Sequence, residues 1–224
     1  MNESDRAIAA MKQAPKIVTD SYMAAPKGDD GPVISFPIGA MTLSDLENYG
    51  EEIGGRVTEV TPRIKRTQAV LLWTADEKPL LFANPELKSY RNLFIRSVEV
   101  GHGRDVSGIT DFHVDHAASQ GSAERLGFRY SLLVAVHGVP NVSYSDVEKN
   151  LCDDPRRGLI YPNLLQIMKI NNIPLLSAKN DITAGLGIMT GMAVEQKIIR
   201  SREAEKFYGM GIKVGARVAS RPKP

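Results

Sequence analysis

The rhythm of hydrophobic and polar positions changes three times along the chain. Over residues 1–35, Ile8 and Met11 share one face of a short amphipathic stretch that Ser4 caps, which predicts a helix through Gln13. Pro15, Pro26, Gly28, Asp29, Asp30, Gly31 and Pro32 then interrupt the pattern, so this segment is expected to be a flexible arm. From about 36 to 140, short β-branched, aromatic and aliphatic runs predict strands at Val57 to Val60, Ala69 to Trp73, Leu80 to Ala83, Leu93 to Val100 and Phe128 to Val136. Turn residues separate them at Gly54-Gly55, Asp76-Glu77-Lys78-Pro79, Asn84-Pro85 and Gly101-His102-Gly103. Val98 and Val100 alternate with Ser97 and Glu99, as a half-buried strand requires. Phe128-Arg129-Tyr130-Ser131 alternates in the same way, with Arg129 and Ser131 outward. Leu132 to Val136 is apolar on both faces, which marks a central strand.

The last third is helical. Ser145-Asp146-Val147-Glu148 matches a capping box, and Pro155 stops that helix by Asp154. Pro162 opens a second helix with Leu164, Leu165, Ile167 and Met168, ended by Asn171-Asn172 and Pro174. A third is expected from about Thr190 to Tyr208, with Gly209 after it. The fold expected is therefore α+β: an antiparallel sheet or sandwich followed by three helices. The organisation is a flexible arm (1–35), a single core (36–208) and a basic tail (209–224).

Composition narrows this picture little. With 224 residues the chain can bury a core without disulfides or metal, and its net charge of +2 excludes a polycation or a solvating acidic protein. The lone Cys152 excludes an intramolecular disulfide framework, and its neighbours Asp153 and Asp154 oppose thiolate formation. The longest apolar runs are far short of a membrane span, and the first residues lack the marks of a signal peptide. A cytoplasmic protein, neither secreted nor transmembrane, is expected.

Candidate chemistry centres on His102, His113, His116 and His137. His113-Val114-Asp115-His116 would offer a metal site on a helix, where His113 and His116 share a face. Ile109, Phe112 and Val114 favour a strand, which sends the two histidines to opposite faces; structural histidines are the expectation, with no metal and no cofactor. Gly185-Leu186-Gly187-Ile188-Met189-Thr190-Gly191 departs from the dinucleotide spacing and reads as a hinge or a close-packed helix start rather than a phosphate loop. No serine sits in a G-x-S-x-G elbow. Basic residues gather at Arg63, Lys65 and Arg66, at Arg156 and Arg157, and in a tail where Lys213, Arg217, Arg221 and Lys223 meet no acidic residue. Such clusters suit phosphate-backbone or anionic-membrane contacts, which need charge but no motif.

The run Phe128 to Val136, then Pro140, Ser143-Tyr144-Ser145-Asp146-Val147 and Tyr161-Pro162 with Leu164-Leu165, resembles part of rhabdovirus matrix proteins over about 40 residues. A second likeness, through Val114-Asp115 and Val139-Pro140-Asn141, is to plant-virus movement proteins of the 30K type. The chain lacks the matrix family's basic N-terminal run, and neither likeness carries over a functional residue. The resemblance implies a non-enzymatic structural protein that self-associates as a homo-oligomer and contacts RNA, ribonucleoprotein or an anionic membrane. The alternatives are a metal-dependent phosphodiesterase or hydrolase using His113, Asp115 and His116, and a viral movement or other protein-interaction module.

Overall fold

Pro15 stops nothing, because it stands in the first turn of a helix, where its missing N–H leaves no bond unmade. In the computed structural model, α1 (Glu3–Met11) runs almost directly into α2 (Gln13–Ala24). The structure describes residues 3–24, 35–138, 144, 148–174, 182–196, 198–201, 204–205, 208–209 and 211–212. Val18 and Tyr22 are buried in the core, so the expected arm is corrected over residues 3–24. Its remainder, 25–34, lies outside the described residues.

The elements that follow are β1 (Gly39–Ala40), α3 (Leu43–Glu52), β2 (Arg56–Glu59), β3 (Ala69–Trp73), β4 (Pro79–Ala83), α4 (Tyr90–His102) and β5 (His113–His116). Then come α5 (Gln120–Leu126), β6 (Tyr130–Val136), α6 (Glu148–Leu151), β7 (Leu159–Ile160), α7 (Leu164–Ile170) and α8 (Ile182–Glu195). The fold is α+β, with an antiparallel, curled sheet in the middle of the chain and helices after it. The sheet path is β2-β3-β4-β6-β1-β7, with β5 also paired to β6.

β6 organises the sheet. Its first half lies beside β4 and β1, with Phe82 opposite Leu132 and Gly39 opposite Ser131. Its second half pairs with β5, from His113 opposite Val136 to His116 opposite Leu133. All seven residues are buried, so helices must cover both faces. Leu132, Val134 and Val136 join Val70, Leu72, Leu80 and Phe82 on one face, under α2, α3, α7 and α8. Leu133 and Ala135 join Leu71 and Leu81 on the other, under α1 and α4. Ser131 is inside too, correcting its outward placement: its hydroxyl donates to the Ala118 carbonyl (2.7 Å) and accepts from the Ala118 amide (3.2 Å).

The run 93–100 is a helix, not a strand. Leu93, Phe94, Ser97 and Val98 form its buried face, a three-to-four spacing that the local alternation at 97–100 masked. Gly103, at φ 61°, caps it in the left-handed region. α7 begins at Leu164 rather than Pro162, because Asn163 and Gln166 form a reciprocal capping box. α8 begins before Thr190 and takes Gly185, Gly187 and Gly191 into its interior, so the hinge and phosphate-loop readings both fall. The 145–147 part of the expected capping box lies outside the described residues, and Glu148 is the first residue of α6. A Cβ added at Gly211 would press on Leu186 and Leu164, so the packed chain continues past 208. Among the described residues, no helix is long and apolar enough to cross a membrane.

Candidate functional site

The His113–His116 segment is a strand, and strand geometry decides what its side chains do. Asp115 faces α7, where the Lys169 ammonium lies 2.5 Å from Oδ2. His116 faces the other way and packs against Tyr90 at the start of α4, ring centroids 4.9 Å apart. His113 is exposed, and its Nε2 lies 3.1 Å from where a Cβ on Gly138 would stand. The two histidines proposed as joint ligands thus sit on opposite faces of the strand, and the carboxylate between them is taken by an ammonium. No group of three or more His, Cys, Asp or Glu that could hold a metal occurs among the described residues.

Lys169 is the residue the sequence reading missed. It is 1 % exposed in a helix whose every residue is buried. Its signal was present: one lysine in Leu164-Leu165-Gln166-Ile167-Met168-Lys169-Ile170, a run without an outward polar face. Such an amine needs a counter-charge, because leaving one partner of a buried pair alone is costly. Asp115 supplies it, with Oδ2 buried and contacted by the ammonium off the hydrogen-bonding direction. The pair joins α7 to β5.

His116 is 5 % exposed, and its Nε2 has no hydrogen-bond partner among the described residues. Burial pushes its pKa down to about 4; Asp115 opposes the shift and Lys169 adds to it. The imidazole is therefore neutral near pH 7. His137, one residue beyond β6, is fixed differently: its amide donates to Asn172 Oδ1 (2.6 Å), and its Nδ1 lies 3.0 Å from the Asp111 carbonyl. His102 lines a small cleft with Met11, Phe94, Ser97 and Leu133, and partial burial lowers its pKa. Cys152 is buried, its Sγ accepts from Gln166 Nε2 (3.0 Å), and burial raises its pKa, so the thiol stays protonated.

The basic candidates occupy two loops beside α3. Arg63 and Lys65 are exposed in the loop before β3. Arg66 is drawn inward: its Nη2 lies 2.5 Å from Glu47 Oε1, and its carbonyl accepts from the Tyr130 hydroxyl (2.8 Å). Arg156 and Arg157 are exposed in the turn before β7, where the carboxylate of Asp45 packs against Gly158. Acidic side chains of α3 therefore touch both loops. Lys213, Arg217, Arg221 and Lys223 lie outside the described residues. No family model matches the chain, and neither curated proteins nor solved structures give a match.

Two outcomes follow from this geometry. Lys169→Met or Asp115→Ala alone should each cost about 3–5 kcal/mol in urea unfolding, whereas Lys169→Met with Asp115→Leu should recover most of the loss. Additive losses in the double variant would show that the two groups do not depend on each other. For His116, the unfolded chain binds a proton near the ordinary pKa of 6.5 while the folded chain resists it down to about 4. Stability is complete above pH 6.5 and falls as pH drops toward 4, by about 3 kcal/mol over the window. In His116→Phe that slope between pH 6.5 and 4 should flatten, and an unchanged slope would place the titration elsewhere.

Proposed function

We propose that this chain is a non-enzymatic structural protein, of viral matrix type, that self-associates and contacts a polyanion through exposed basic loops. The observation that carries self-association is the outer face of α8. Of its 14 residues only the last, Glu195, is charged. Leu186, Met189 and Ala193 are turned into the core, leaving Gly187, Gly191 and Ile188 outward, with Ile188 57 % exposed. The outward face of Gly187, Ile188 and Gly191 carries no charge, and its two glycines let a second copy approach closely around Ile188 about a twofold axis. The exposed Arg63, Lys65, Arg156 and Arg157 supply the charge for RNA or an anionic membrane. A cytoplasmic setting, in host cell or virion, fits this reading. The hydrolase alternative is weakened by the divergence of His113 and His116 and by the Lys169 ammonium on Asp115.

Sedimentation velocity tests the reading. The wild-type chain should sediment as an oligomer at micromolar concentration, and Ile188→Glu should shift it to monomer with an unchanged circular dichroism spectrum. A wild-type monomer, or an Ile188→Glu variant that still assembles, would contradict it.

A further inference from the structure

β5 is gripped from two sides, and the two grips differ in kind. On one face Asp115 holds the Lys169 ammonium of α7, 2.5 Å from Oδ2. On the other, the His116 ring packs on that of Tyr90, the first residue of α4, with centroids 4.9 Å apart. The first grip is an ion pair that strand and helix satisfy between them. The second is a ring contact, in which His116 Nε2 is buried without a hydrogen-bond partner among the described residues.

The surroundings of that ring offer a proton no counter-charge. α4 brings the phenol of Tyr90 and, beside it, the guanidinium of Arg91, which is turned onto the Phe112 carbonyl (2.8 Å). β6 brings Leu133, directly opposite His116, and Ala135 on the same face. α7 brings a second cation, Lys169, and the carboxylate that acts on the ring, Asp115, is already engaged by it. An imidazolium in this place must therefore be met by water, and the Tyr90 end of α4 is what stands in the way. The same layer has space in it: a cleft of about 20 Å³, room for roughly one water, lies between α1, α4 and β4, lined by Met11, Leu81, Phe94, Ser97 and His102. We infer that the α4–β5 contact is an acid-opened seam: when His116 takes up a proton, the layer of α4 and α1 lifts and bares the face of Leu71, Leu81, Leu133 and Ala135, while α7 stays on the other face through Asp115 and Lys169. The stability loss derived for His116 sets the size of the effect, and the one-sided attachment sets its place.

In the open form the ring binds a proton near 6.5, and in the closed form it resists one down to about 4, so the opening constant grows about fiftyfold between pH 7 and pH 4.5. Amide exchange of the full chain, resolved by segment and read as protection factors at the two pH values, tests this in the wild type and in His116→Phe, which keeps an aromatic ring on Tyr90. In the wild type, protection of α4 and α1 should fall about fiftyfold at pH 4.5, while that of α7 and of α2 around Val18 changes little. In His116→Phe the fall in α4 and α1 should disappear. The contrast between the two faces of the wild type decides the matter even without the variant. Equal loss from α4 and α7 would mean that acid unfolds the chain as a whole and would overturn the seam. Unchanged protection of α4, or an equal fall in His116→Phe, would also overturn it.

Discussion

A strand that is apolar on both faces cannot end a structure; it must be enclosed. β6 imposes that condition here, since all seven of its residues are buried. Four neighbouring facts follow from it. β4 and β1 satisfy the backbone of its first half, and β5 that of its second. α1 and α4 close one face, and α2, α3, α7 and α8 close the other. The N-terminal helices are drawn into the core for this reason: without Val18 and Tyr22, part of the face carrying Leu132 and Val134 would meet water.

The same enclosure explains the polar residues inside. α7 lies so deep that Lys169 has no route to solvent, and the strand beside it supplies the compensating carboxylate. Because β5 alternates, placing Asp115 toward Lys169 sends His116 toward Tyr90. The histidine is then held neutral by burial beside an ion pair. What reads in sequence as a compact His-x-Asp-His motif is, in the fold, two attachments to two different helical layers. The arrangement ties β5 to α7 through Asp115 and to α4 through His116.

Legibility in the sequence followed the physics of each segment. β3, β4 and β6 were readable because continuous aliphatic runs between turn residues have few alternatives. The run 93–100 misled because valines at 98 and 100 fit a period of two, whereas Tyr90, Leu93, Phe94 and Val98 together fit the helical one; only the longer window decides. Residues 3–24 read as an arm when Pro15 counts as a breaker, but in the first turn of a helix a proline breaks nothing. The glycines of α8 misled because intrinsic propensity is weak against packing: Leu186, Met189 and Ala193 anchor a helix that three glycines alone would discourage. The divergence of His113 and His116 was legible from the strand pattern. The Lys169 partner was not, since the two residues are brought together by tertiary structure alone.

Native-state amide hydrogen exchange tests most directly whether enclosure of β6 governs the fold. The β6 amides that pair with β1, β4 and β5 should exchange slowest, at the rate of global unfolding. Amides of α2 around Val18 should belong to the same protected class, while the edge strand β2, with Arg56 and Glu59 exposed, opens more readily. Exchange of β6 as fast as that of β2, or unprotected amides between Lys16 and Tyr22, would contradict it.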